Sequence, residues 1–150
     1  MNPSSRSIER LTLRVALIVA FLISVLVPAG YLLVSYQYLR GVLDAQSMLS
    51  AESVSGLVNS NPSMWRFEEV RLSELLDRAA SDGVPESRRV LDLKSEVIAK
   101  NKVSVPPPHI SRLREIYDDG AVVARLEVTR SMRPMLPIAA LLAAVSLAFA

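Results

Sequence analysis

The stretch VALIVAFLISVLVPAGYLLVSYQYL, residues 15–39, determines how the rest of this 150-residue chain is interpreted. Apart from its tyrosines it has no ionisable side chain. A bilayer core about 30 Å thick needs about 20 such residues in a helix, because only a closed helical hydrogen-bond pattern satisfies the backbone there. We therefore predict a transmembrane helix over 15–38, with Pro28 as the place for a kink. A cleaved signal peptide is the alternative, but the apolar run continues past its small-residue cleavage region, Pro28-Ala29-Gly30.

The arginines before this stretch give the orientation. Arg6, Arg10 and Arg14, set against Glu9, account for the net charge of +2, whereas residues 40–133 carry equal numbers of acidic and basic side chains. Basic residues beside a first span stay in the cytoplasm. We therefore expect a cytoplasmic N-terminus and residues of about 39–131 outside, which is the periplasm if the cell is Gram-negative. Because no basic face with interleaved aromatics is present, we expect no nucleic-acid partner.

A second apolar stretch, PMLPIAALLAAVSLAFA, covers residues 134–150. Its roughly 17 uncharged residues are at the lower edge of a spanning length. We interpret it as the start of a second transmembrane helix, truncated at the C-terminus, because a complete second span normally carries a basic flank. The buried C-terminal helix of a soluble protein is the alternative. The sequence thus predicts a multi-pass membrane protein, with the lipid bilayer as a partner.

The segment between the apolar ends predicts an α+β domain. Helical spacing of apolar residues indicates helices at about 39–59 and 62–80, where Ser60 or Asn61 can cap the second and Pro62 fits its first position. Two antiparallel hairpins follow. The second turns at Asp118-Asp119-Gly120, because Asp-Gly suits the positive φ of a tight hairpin. The predicted strands, the last of which alternates apolar and polar residues, are about 88–92, 96–100, 109–117 and 121–129.

No catalytic constellation is recognisable. The chain has no cysteine and one histidine, His109, which follows three prolines and is interpreted as a surface-loop residue. The acidic pairs Glu68-Glu69 and Asp118-Asp119 are interpreted as solvated side chains and as turn chemistry. We therefore expect no catalytic residue, no metal and no cofactor in this segment.

Two kinds of binding are predicted. The apolar stripe over 39–58 suits packing within the chain or between two copies, and because about 90 residues make a small core we expect a homodimer. A mixture of aromatic walls and cationic anchors suits a small anion. The candidate pocket residues are Trp65, Arg66 and Arg71 on the second helix, with Tyr117 and Arg125 on the sheet; alternatively the aromatics belong to the core and the arginines are solvated.

Three stretches carry a resemblance to a known class: NPSMWRFEEVRLSELL (61–76), RRVLD (88–92) and YDDGAVVARLEVTRSMRPML (117–136). The arrangement resembles the N-terminal sensory module of bacterial membrane signalling proteins, and the last stretch resembles the closing hairpin of PAS-like or Cache-type extracytoplasmic domains. One departure is Leu93-Lys94-Ser95, which stands where such domains often have a glycine-bearing turn and leaves the register of the first hairpin open.

The resemblance implies a module of the bacterial inner membrane that detects a small-molecule or envelope signal and transmits it to a cytoplasmic output domain. We expect a histidine kinase of a two-component system, with a diguanylate cyclase or phosphodiesterase as the alternative output. A non-signalling two-span envelope assembly protein is the alternative from another class.

Overall fold

The computed structural model describes residues 3–78 and 85–148 and has an α+β fold. It divides into two compact units, an apolar unit (the described residues up to Gln37 and from Pro134 onward) and an α+β unit (Tyr38–Arg133). The elements are α1 (Pro3–Ser60), a 3-10 turn (Trp65–Phe67), α2 (Glu69–Arg78), β1 (Glu86–Leu91), β2 (Val97–Lys100), β3 (His109–Asp118), β4 (Ala121–Ser131), a 3-10 turn (Arg133–Met135) and α3 (Leu136–Ala148).

The apolar unit is built from the first part of α1 and from α3. Pro28 does not interrupt α1, so the predicted spanning helix and the helix predicted at 39–59 are one element. The stretch from Leu11 is long and apolar enough to cross a membrane, whereas α3 is shorter than a span within the described residues. The hydroxyl of Ser24 donates to the carbonyl oxygen of Ser146 at 2.9 Å. Hydrogen bonds of this kind connect helices in apolar surroundings.

The α+β unit contains a four-stranded antiparallel sheet with the order β2-β1-β4-β3. Both predicted hairpins are present, and β1 joins them by pairing with β4. The register places Arg88 opposite Val128 and Val128 opposite Arg112, so these three side chains share one face of the sheet. The strands differ from the predicted ranges by only a residue or two at each end.

One face of the sheet, here the inner face, packs against α1, Trp65 and α2. From Ala124 to Val128 the side chains of β4 alternate as predicted, because successive residues of a strand point to opposite faces. The prediction is wrong nearer the turn, where the pairing with β3 is irregular and Val123 packs against the core. Of the stripe on α1, Val54, Leu57 and Val58 lie in this same core, whereas Leu49 is 65% exposed; the homodimer stays a prediction. The buried core residues are Ala51, Val54, Leu57, Val58, Trp65, Leu72, Leu76, Val90, Ala99, Ile116, Ala124, Leu126 and Val128.

The helix predicted over 62–80 begins later than expected. The carbonyl of Asn61 accepts the backbone N–H groups of Met64 and Trp65, and its side-chain amide donates to Glu68 at 3.1 Å. These bonds close a turn and a 3-10 segment instead of a helix beginning at Pro62, and they place Trp65 in the core with 2% of its surface exposed. Residues 79 and 80, at the end of the predicted helix, lie outside the described residues.

The two hairpin turns use different chemistry. Asp119 and Gly120 both adopt positive φ, 47° and 79°, which confirms the predicted turn. The turn of the first hairpin contains no glycine and is held by a carboxylate: Asp92 Oδ1 accepts the backbone N–H groups of Lys94 and Glu96, each at 2.8 Å. Ser95 takes the left-handed conformation there, with φ of 68°. The register that the sequence left open pairs Val90 with Ala99 and Leu91 with Val97, with an irregularity between the two pairs.

Candidate functional site

A cleft of about 390 Å³ lies on the outer face of the sheet, opposite the core. Paired outward residues of β1 and β4 form its floor, with Ser87 opposite Thr129 and Arg89 opposite Glu127. The chain that leaves β2 forms its wall. The lining residues are Ser87, Arg89, Lys100, Asn101, Lys102, Val103, Ser104, Val105, His109, Glu127 and Thr129.

The wall belongs to a segment that is held firmly at its beginning. We call residues 101–108, which end in three prolines, the proline segment. The side chain of Asn101 is 3% exposed; its oxygen accepts the backbone N–H of Arg88 at 2.9 Å, and its nitrogen donates to the carbonyl of Glu86 at 2.8 Å. The backbone N–H of Lys102 donates to Asp77 Oδ1 on α2 at 3.3 Å. These bonds attach the segment to β1 and α2.

The other end of the proline segment is bonded to the last residue of β4 and to the two residues that follow it. The hydroxyl of Ser131 donates to the carbonyl of Pro106 at 3.3 Å, and Arg133 Nε donates to the carbonyl of Pro107 at 3.0 Å. The backbone N–H of Met132 donates to the carbonyl of Pro108 at 2.9 Å. The segment therefore lines the cleft at one end and, at the other, contacts residues 131–133, where β4 passes into the 3-10 turn that precedes α3.

The cleft has an excess of positive charge. Arg89, Lys100 and Lys102 line it, against one carboxylate, Glu127. Arg89 Nε donates to Glu127 Oε2 at 2.7 Å, an ion pair that leaves the arginine side chain about half exposed. Neither lysine side chain makes an ion pair within the part of the chain that the structure describes. Exposed cations beside hydroxyl groups are suited to holding an anion.

A buried ion pair lies on the inner face of the sheet, between two residues of β1. Glu86 Oε2 and Arg88 Nη2 are 3.1 Å apart, and their side chains are 4% and 1% exposed. Glu86 Oε1 and the Nε and Nη1 atoms of Arg88 have no hydrogen-bond partner among the described residues. Asn101 bonds to the backbone of both residues, so it connects the buried pair to the wall of the cleft.

The residues predicted to form one ligand pocket lie on different sides of the sheet. Trp65 is in the core on the inner side, with the Arg66 guanidinium 5.4 Å from the centre of its ring. Arg71, also on that side in α2, forms an exposed ion pair with Glu68 at 3.3 Å. Arg125 alternates with the buried residues of β4 and so faces the outer side.

Tyr117, the fifth predicted residue, also lies away from Trp65. Its hydroxyl donates to Glu115 Oε2 at 2.7 Å, two residues earlier on the same strand. This hydrogen bond, together with the negative charge of Glu115, raises the pKa of Tyr117 above its ordinary value of 10.0. Among these five residues the structure shows one cation–π contact, between Arg66 and Trp65.

The cleft residues were not recognised from the sequence. The available signal was Lys100-Asn101-Lys102 directly before a stretch stiffened by prolines, which places two cations on a segment with little freedom. Arg89 and Glu127 gave no such signal, because they are 38 residues apart and only the strand register brings them together. Within the described residues, no three histidine or acidic side chains form a group suited to a metal ion.

No protein-family model matches the chain, and no curated protein matches it. Any assignment of function therefore rests on the residues and geometry described above.

Proposed function

We propose that the chain is a membrane-anchored sensory input module, in which a ligand in the outer-face cleft changes the position of the residues that lead into α3. The observation that carries this proposal is the double attachment of the proline segment. Its beginning lines the cleft, and its end is hydrogen-bonded to Ser131, Met132 and Arg133. A ligand that binds one arrangement of this segment better than another shifts the population toward that arrangement.

The membrane part of the proposal is supported by the apolar unit. α1 is long and apolar enough to cross a bilayer, and its exposed apolar side chains from Leu11 onward are suited to lipid. With a cytoplasmic N-terminus, the α+β unit lies outside the inner membrane and α3 begins the return span. The PAS-like or Cache-like assignment belongs to this proposal, supported by an antiparallel sheet whose inner face carries the helices.

The output domain in this proposal is a histidine kinase, with a diguanylate cyclase or phosphodiesterase as the alternative. Shifts of an ångström or two in a helix are enough to switch interfaces between packed elements. The proposed route is short, because β4 ends at Ser131 and the 3-10 turn before α3 begins at Arg133.

A reporter fusion tests the proposal. The 150-residue chain is joined to the core of a reporter histidine kinase, and the double variant Ser131→Ala/Arg133→Gln removes two bonds to the proline segment. We expect the basal output to change severalfold in this variant. Arg130→Gln is the control, because it removes a charge from the same region, and Arg130 has no bond to the proline segment in the described structure.

Three results decide between the candidate functions. A change in output confined to the double variant supports the input module. Equal changes in both variants point to lost charge next to α3 and contradict the proposed route. An output that is unaffected by both variants and by deletion of 60–128 contradicts sensing and favours the non-signalling assembly protein.

A further inference from the structure

We propose that the outer-face cleft is a binding site for a small organic anion bearing a carboxylate or phosphate group, with Lys100, Lys102 and Arg89 as its cationic contacts. This inference rests on the proposed function in taking the cleft as the place where the signal binds. It adds the chemical class of the ligand, which the membrane arrangement leaves open.

The charge of the lining is the first argument. Glu127 neutralises one of the three cations, and the two lysines have no carboxylate partner within the described residues. Arg89 uses only Nε in its ion pair, so its terminal N–H groups are available to a ligand. A guanidinium presents paired donors that match a carboxylate or phosphate, and lysines add charge on flexible stems. This surface therefore binds an anion more tightly than a neutral or cationic ligand of the same size.

The size and the other lining groups are the second argument. About 390 Å³ lies within the range of small-molecule sites and exceeds what an inorganic ion fills. Ser87 and Thr129 lie opposite each other on the floor and offer hydroxyl groups. Val103 and Val105 are half-buried in the wall and provide apolar surface. This combination fits an anion with a short carbon skeleton.

The Glu127 carboxylate, paired with Arg89 in the cleft, opposes the binding of an anion there. The pair is 2.7 Å long, and the Glu127 side chain is only 15% exposed. An anion bound to the terminal N–H groups of Arg89 weakens this pair, because the negative charge of the anion repels the Glu127 carboxylate beside it. Since Glu127 is on β4, the strand that leads to residues 131–133, its release provides a second connection between the cleft and α3.

Binding is measured on the full chain in nanodiscs of neutral phosphatidylcholine, by titration while backbone amide NMR signals are recorded. The probes are succinate, glycerol 3-phosphate and, as the uncharged control, glycerol. We expect a Kd of roughly 1 mM or tighter for at least one anion, no binding of glycerol, and weaker binding at high salt. The shifted signals should belong to residues 87–89, 100–105 and 127–129.

Four variants make the test specific. Lys100→Gln and Lys102→Gln should each weaken binding about tenfold, because each removes a charge-assisted contact. Glu127→Gln should strengthen binding severalfold, because it removes the one carboxylate in the lining that repels the anion. Lys94→Gln should leave binding unchanged, because Lys94 lies in the β1–β2 turn, outside the cleft.

Each outcome bears on the inference. No response to either anion up to about 20 mM, or equal losses in Lys94→Gln and the cleft variants, overturns it. If the same signals shift only when phosphatidylglycerol replaces phosphatidylcholine, and Lys100→Gln abolishes the shift, the anion site stands and its ligand is a lipid headgroup. Binding without any change in reporter output supports the anion site and contradicts the proposed function. A reporter response to Ser131→Ala/Arg133→Gln without anion binding supports the proposed function and contradicts the anion site.

Discussion

Replacing Glu86 tests how much stability the α+β unit loses when Arg88 is left in its interior without a carboxylate partner. In Glu86→Leu the Arg88 guanidinium keeps its charge, because arginine is not deprotonated in proteins. Its Nη2 atom loses the partner at 3.1 Å, while Nε and Nη1 already have none among the described residues. With 1% of its side chain exposed, Arg88 has almost no access to water that could replace the lost carboxylate.

The expected loss is large for a single substitution. Breaking a buried pair by removing one partner costs about 3–5 kcal/mol, whereas replacing both partners by apolar residues is often neutral or stabilising. Glu86→Leu should therefore lower the melting temperature by more than about 10 °C, since 1 kcal/mol corresponds to roughly 4–8 °C in a domain of this size. Glu86→Leu/Arg88→Met should lie within about 1 kcal/mol of the native chain or above it.

The single tryptophan makes the measurement selective. Trp65 is the only tryptophan of the chain and is buried in the core of the α+β unit, so its fluorescence reports on that unit in detergent micelles. Thermal and urea unfolding of the native chain, both single variants and the double variant complete a double-mutant cycle. A loss below about 1 kcal/mol in Glu86→Leu, or equal losses in Glu86→Leu and the double variant, would refute the reasoning.

Three further predictions use the same chain. Gly120→Ala should destabilise the unit by about 1 kcal/mol, because the φ of Gly120 is +79°, whereas Gly56→Ala in α1 should stabilise it by about 0.5–1 kcal/mol. Urea unfolding followed by Trp fluorescence measures both changes. A change of the same sign in the two variants would contradict the turn geometry. Glu115→Gln should lower the pKa of Tyr117 toward its ordinary value, followed by ultraviolet titration of the phenol. Because the raised pKa favours the protonated folded state, its stabilising effect is present below about pH 10 and is lost as the pH rises through the folded pKa. Lys94→Cys, in a chain without native cysteine, should react with a membrane-impermeant maleimide in intact cells; labelling only after lysis would contradict the proposed orientation.

Local chemistry made much of the fold predictable. The α+β class, both hairpins and the alternation along β4 follow from periodicity and from one Asp-Gly turn, which act within a few residues. The start of α2 was missed because a tertiary demand overrode a local preference. Pro62 suits a helix start, but burying Trp65 in the core requires the turn that Asn61 closes. The first hairpin was found without its register, since the Asp92 carboxylate, not a glycine, shapes its turn.

The candidate site was far less predictable than the fold. Residue types alone grouped Trp65 with Tyr117 and Arg125, but a sheet has two faces and the strands direct these side chains to different sides of it. The cleft itself depends on where the proline segment crosses the sheet. That path is fixed by bonds between residues about 25 positions apart, such as Ser131 to Pro106. No pattern within a short window records such bonds.

Asn101 explains why the buried pair and the cleft belong to one arrangement. A buried ion pair is weak evidence for stability, because apolar residues of similar size often do as well. Its position here is more informative. Arg88 and Glu86 flank Ser87 of the cleft floor, and their backbone groups hold the Asn101 side chain at 2.9 Å and 2.8 Å. Because Asn101 begins the proline segment, a shift of β1 that disturbs the pair also moves the cleft wall. The Asn101 side chain therefore fixes the register between β1 and this segment through backbone groups of Glu86 and Arg88, and the double variant at 86 and 88 would leave these bonds in place.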